Sequence, residues 1–141
     1  MRSLARLFFI MFGIMTLLSC GPRSLQDYRQ EGESLTRDLL EVLYTIDTRE
    51  DAVSAAPRLK SLFDQMVTLM IAARDYREKH PEAEMPLYTI KSRELSDRLR
   101  AELNRVFRIE DARDIVEKCQ EDSLNRLDAY DKRHKKTLNS N

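Results

Sequence analysis

The chain has 141 residues, 24 of them basic and 24 acidic, and 42% of it is hydrophobic. The even charge balance argues against a nucleic-acid binder, which would carry a basic stripe or a high pI. With three glycines in all and abundant Leu, Ala, Glu, Arg and Lys, the composition disfavours an all-β domain rich in tight turns and predicts an all-α one.

Residues 1–6 carry Arg2 and Arg6 and no acid, residues 7–18 are almost wholly apolar, and Ser19 precedes Cys20. A basic start, a short apolar run and a small residue at the cut make a secretory signal. The apolar run is shorter than the about 20 residues that a membrane-spanning helix needs. Leu17-Leu18-Ser19-Cys20 resembles the lipobox of bacterial lipoprotein precursors. The resemblance implies that Cys20 is the lipidation site: it receives a diacylglyceryl thioether, residues 1–19 are cut off, and the new amino group is acylated. It further implies a membrane-anchored envelope protein. Gly21 stands where many inner-membrane lipoproteins have aspartate, so the resemblance leans towards the outer membrane.

Removing residues 1–19 takes away Arg2, Arg6, Phe8, Phe9 and Phe12, which leaves the mature chain slightly acidic with only Phe63 and Phe107. Its core is therefore expected from Leu, Ile, Val, Met, Ala and Tyr. Gly21-Pro22-Arg23 is a very short linker. Ser24 and Asp27 have the spacing of a capping box and open a helix over about 24–46. Its seam is Leu25, Tyr28, Gly32, Leu35, Leu39, Val42 and Ile46, a heptad pattern.

Thr48 and Asp51 form a second capping box. Ala52, Ala55 and Ala56 follow, and Pro57 either kinks this helix or begins the next one. A broad stripe of Leu59, Leu62, Phe63, Met66, Val67, Met70 and Ala73 runs to the stop at His80-Pro81. Residues 81–87 form a loop with two prolines. A third helix starts between Pro86 and Ser92 and carries Leu95, Leu99, Leu103 and Val106. Arg108-Ile109 marks a break, and Glu110-Asp111 suits the positive end of a fourth helix. That helix has Ala112, Ile115, Val116, Cys119, Leu124, Leu127 and Tyr130 on one face and ends in the basic run 132–136.

The expected organisation is a signal peptide (1–19), a lipidated cysteine with a short linker (20–23), a helical bundle (24–136) and a frayed tail (137–141). Helices of comparable length with short connections favour an up-down bundle of about four helices. A three-helix bundle or an elongated coiled-coil dimer is the alternative. Glu50-Asp51-Ala52 recurs as Glu110-Asp111-Ala112, and Tyr76 with His80 recurs as Tyr130 with His134, but at unequal offsets.

No G-x-S-x-G elbow or Gly-rich phosphate loop occurs. His80 and His134 belong to no metal-ligand pair, although an up-down topology would bring both to one end, near Glu82 and Glu84. Solvated helix-end histidines are the simpler expectation. The tyrosines fall mostly on or beside the apolar stripes, which suits core-edge packing. Cys119 lies on the face of Ile115 and Val116 and is expected to be buried; an intermolecular disulfide is the alternative. No catalytic, cofactor or metal residue, and no small-molecule substrate, is expected. The expected role is a structural or protein-interaction module that binds a protein partner or itself. The alternative is an envelope enzyme or enzyme inhibitor on a helical scaffold.

Overall fold

The computed structural model describes residues 24–138, with side chains through residue 135. The expected signal, Cys20 and the linker lie outside the described residues. Those described form an all-α fold of four helices: α1 (Leu25–Tyr44), α2 (Arg49–Lys79), α3 (Ile90–Val106) and α4 (Ala112–Leu138). None is long and apolar enough to cross a membrane.

The helix starts follow local chemistry. Ser24 Oγ accepts the Asp27 N–H at 3.2 Å. Thr48 and Asp51 cap α2 reciprocally, with Thr48 Oγ1 accepting from Asp51 N–H at 3.2 Å and the Asp51 carboxylate from Thr48 N–H at 2.9 Å. The Thr48 side chain, followed by the backbone N–H groups of Asp47 and Thr48, holds the Asp51 carboxyl below its usual 3.8. Thr89 caps α3 through the Ser92 N–H at 3.1 Å. Glu110 and Asp111 immediately precede α4, at its positive end, and Asp111 has φ 59°. Aspartate is among the few non-glycine residues that occupy this left-handed region at modest cost.

Pro57 sits inside one continuous α2. It cannot donate to the Val53 carbonyl, so one helical hydrogen bond is missing. The buried Ala52, Leu59, Leu62 and Val67 straddle it and keep both halves packed on the same core.

Two hairpins lie side by side. Tyr28 meets Tyr76 with ring centroids 5.6 Å apart, which makes α1 and α2 antiparallel. Contacts of Ser92 with Glu33 and of Arg105 with the Leu43 carbonyl place α3 parallel to α1. Contacts of Lys60 with Asp122 and of Glu78 with His134 place α4 parallel to α2. The main packing pairs are α1 with α2, α1 with α3 and α2 with α4; α3 and α4 do not pack along each other. Hence α1 and α2 form the inner pair. Burial on α1 accordingly spreads beyond the heptad seam to Leu40 and Leu43, since this helix has two neighbours.

The core is concentrated at the end holding the two hairpin turns. Leu39, Leu43, Ile46, Leu59, Leu62, Val106 and Val116 are its fully buried large side chains. Arg105 stitches the turns together, donating to the Leu43 carbonyl at 2.9 Å and pairing with Asp47 at 3.2 Å. Towards the opposite end, which begins at Ser24, burial becomes sparse and polar contacts take over.

Gly32 faces α2 on the α1 seam. A Cβ placed there would lie 3.6 Å from Leu69 Cδ2, an ordinary van der Waals contact. Gly32→Ala should therefore raise stability by about 0.5–1 kcal/mol, the usual gain when glycine leaves a helix interior. Denaturant titration would show a higher midpoint with an unchanged slope.

Candidate functional site

Both histidines and four of the five tyrosines, Tyr28, Tyr76, Tyr88 and Tyr130, lie at the Ser24 end. There the start of α1, the end of α2, the loop over residues 80–89 and the last turns of α4 come together. Tyr76 lies 4.4 Å from the His80 ring, and Tyr130 stacks on His134 at 4.1 Å. Each pair is spaced four residues apart on one helical face. Tyr130 Oη donates to Asp75 at 2.5 Å, His134 Nε2 lies 3.2 Å from Glu78, and Arg74 pairs with Asp131. These contacts clasp the ends of α2 and α4, where few large apolar residues are buried.

Both histidines occupy this end, as an up-down topology requires, but they take separate partners. His80 Nδ1 lies 3.3 Å from Glu82, whereas His134 meets Glu78 and Asp75. Asp75, Glu78 and His134 have potential ligand atoms within 4.8 Å of one another, a donor set that a divalent cation could use. Each is already engaged: Asp75 by Tyr130, Glu78 by His134, and His134 by the Tyr130 ring. The geometry is that of a hydrogen-bonded clasp open to solvent.

Burial first, and then the bond to Asp75, push the Tyr130 hydroxyl from 10.0 up to about 12. The folded value is raised, so the associated stability is fully present below pH 10 and is lost as pH rises towards 12. Tyr130→Phe should abolish that alkaline loss and remove about 1.5–3 kcal/mol at neutral pH, the range for a hydrogen bond to a charged acceptor. Helical circular dichroism across the alkaline range, with tyrosinate absorbance, would check both.

A second polar cluster holds α3 and the loop against α1. Arg29 Nη1 donates to Ser92 Oγ at 3.1 Å and to the Leu87 carbonyl at 3.4 Å, and pairs with Glu33 at 3.2 Å. Ser92 Oγ donates to Glu33 at 2.7 Å. Ser92 and Val106 are the buried residues of α3, one near each end. Glu33→Ala should therefore cost about 1.5–3 kcal/mol by leaving Arg29 and Ser92 short of their acceptor. Hydrogen exchange should accelerate over residues 85–106 and not over the α2–α4 contact.

Cys119 is a buried free thiol, as its apolar neighbours imply, with Sγ 3.5 Å from the Ala56 carbonyl. Burial pushes its pKa up, which suits a packing role over a nucleophilic one. Tyr28 and Tyr76 are half-buried and Tyr130 is buried, in keeping with core-edge packing, while Tyr44 and Tyr88 are exposed.

Two features went unseen in the sequence. The Arg29–Glu33–Ser92 cluster joins residues far apart in the chain and has no local pattern. The loop and the first residue of α3 carry exposed apolar residues, Met85, Leu87, Tyr88 and Ile90, and Met85 and Leu87 line an open groove of about 520 Å³ together with Ser24, Leu25 and Arg29. The composition of this stretch was legible, but its exposure was not.

Comparison with protein-family models, characterised proteins and solved structures found no match.

Proposed function

We propose that this chain is a membrane-anchored bacterial envelope lipoprotein that acts as a structural or protein-interaction module. The observation that carries the reading is the lipobox-like Leu17-Leu18-Ser19-Cys20, followed so closely by the capped start of α1 at Ser24. Three residues separate Cys20 from that cap. Cys20 and Ser24 can therefore lie at most ~14 Å apart along a fully extended chain, and Pro22 stiffens it. The Ser24 end of the bundle would therefore sit at the lipid headgroups, with the turn end facing away. The basic run 132–136 shares the Ser24 end. Near an anionic surface each such charge adds about 1 kcal/mol.

The packed turn-end core and the solvent-open histidines favour an interaction module over an enzyme. A catalytic pocket would hold converging polar groups in a shielded cavity, whereas the clusters found here join helices. Partners would use an exposed helix face or the turn end. Gly21 after Cys20 favours outer-membrane residence.

Mass spectrometry of the mature N-terminus tests the anchor: a triacylated Cys20 is expected, and an unmodified one refutes it. Crosslinking in the native envelope tests the interaction role. A survey that recovers no protein, not even a second copy of the chain, counts against it.

A further inference from the structure

We infer that the segment Met85–Ile90, the end of the loop and the first residue of α3, is a second membrane contact, whose apolar side chains enter the bilayer interface beside the lipid on Cys20. The inference rests on the proposed anchor and adds to it an insertion site in the folded domain. Met85, Leu87, Tyr88 and Ile90 are 64%, 84%, 65% and 79% exposed. Half of the large exposed apolar side chains among the described residues thus lie within six consecutive positions; Tyr44, Val53, Met70 and Leu124 make up the rest. Scattered exposed hydrophobics need no explanation, but a grouped patch marks a surface that another phase or molecule covers.

Its position identifies the occupant. The loop borders the same groove as Ser24 and Leu25. The chain running back from Ser24 reaches Cys20 within three intervening residues. A lipid on Cys20 therefore brings a bilayer to this face of the domain and to no other. Once tethered, the loop meets the membrane as an intramolecular event at high effective concentration, so a modest apolar patch is sufficient.

The composition of the loop suits such a surface, with only its side chains entering the apolar phase. The Leu87 carbonyl accepts from Arg29 at 3.4 Å. Pro86 has no N–H to satisfy and restricts the backbone beside it. Tyr88 has the amphipathic character of interfacial aromatics. Charged residues flank the stretch, Glu82 and Glu84 before it and Lys91 and Arg93 after it, all exposed. They limit insertion to the side chains between them.

The chain has no tryptophan, so a single introduced one reports its own surroundings. Leu87→Trp and Ile90→Trp would be made in the full-length precursor, purified as the mature protein from bacterial membranes and reconstituted into phosphatidylethanolamine–phosphatidylglycerol vesicles. Val53→Trp, at the turn end, is the reference. The expected result is blue-shifted emission at 87 and 90, quenched when the acyl chains are brominated, with Val53→Trp unaffected by bromination. Equal emission at 87 and 90 in brominated and plain vesicles overturns the proposal. So does a blue shift that needs no vesicles and grows with protein concentration, which would mean that a second copy covers the loop. Mass spectrometry of Cys20 on the same samples separates the two claims. An acylated chain with unquenched Trp leaves the anchor standing and removes the loop contact. An unacylated chain removes the anchor, while the quenching still decides the loop.

Discussion

Cys20→Ser should move the protein from the membrane to the wash fraction after signal cleavage, with no change in helical content or unfolding midpoint. Anchoring by two or more acyl chains is durable, whereas a single chain binds with K of about 10⁴ M⁻¹. The serine variant would keep none. A few interfacial side chains at Met85–Ile90 give only weak, reversible contact once the tether is gone, so washed membranes should retain almost no protein. Folding should be unaffected because Cys20 precedes the capped start of α1 at Ser24. Fractionation with alkaline washing, together with circular dichroism of the released protein, measures both halves. A processed serine variant that still resists washing would remove the lipid from the account.

Leu59→Ala should do the reverse, weakening the fold and leaving lipidation and fractionation unchanged. Leu59 is fully buried on α2 in the cluster that also holds Leu39, Leu43, Ile46, Leu62, Val106 and Val116. Truncating such a side chain forfeits its transfer free energy and leaves a cavity, at a cost of about 2–5 kcal/mol. For a domain of this size that corresponds to a fall in Tm of roughly 10 °C or more. The matching change at half-exposed Leu124 should stay within about 0.5 kcal/mol. Thermal unfolding of both variants would show whether the loss follows burial. Equal losses would mean that the buried cluster around Leu59 does not carry the stability assigned to it.

Some of the architecture was legible because it is local. Ser24, Thr48 with Asp51, and the stop at His80-Pro81 act through hydrogen bonds and steric limits within a few residues, so the bounds of α1 and α2 could be read directly. The burial of Cys119 followed from its spacing to Ile115 and Val116. Glu110 and Asp111 could be placed at the positive end of α4 on charge grounds, but not the left-handed φ of 59° with which Asp111 turns the chain into the helix. The continuity of α2 through Pro57 also lay beyond local rules, since packing on both sides of the proline offsets one lost hydrogen bond.

The amino-acid pattern thus accounts for an all-α chain of four helices, their caps and the position of a lipobox-like cysteine. Periodicity records that a face is apolar, not which helix will cover it. Which helices lie inside, the side-by-side hairpins, the Tyr130–Asp75 and Arg29–Glu33–Ser92 clusters and the outward-facing loop at Met85–Ile90 all emerged on folding. The two clusters and the pairings of α1 with α3 and of α2 with α4 depend on contacts between residues about 55–65 positions apart, and such pairings come from the summed packing of whole helices, which no short stretch of sequence encodes.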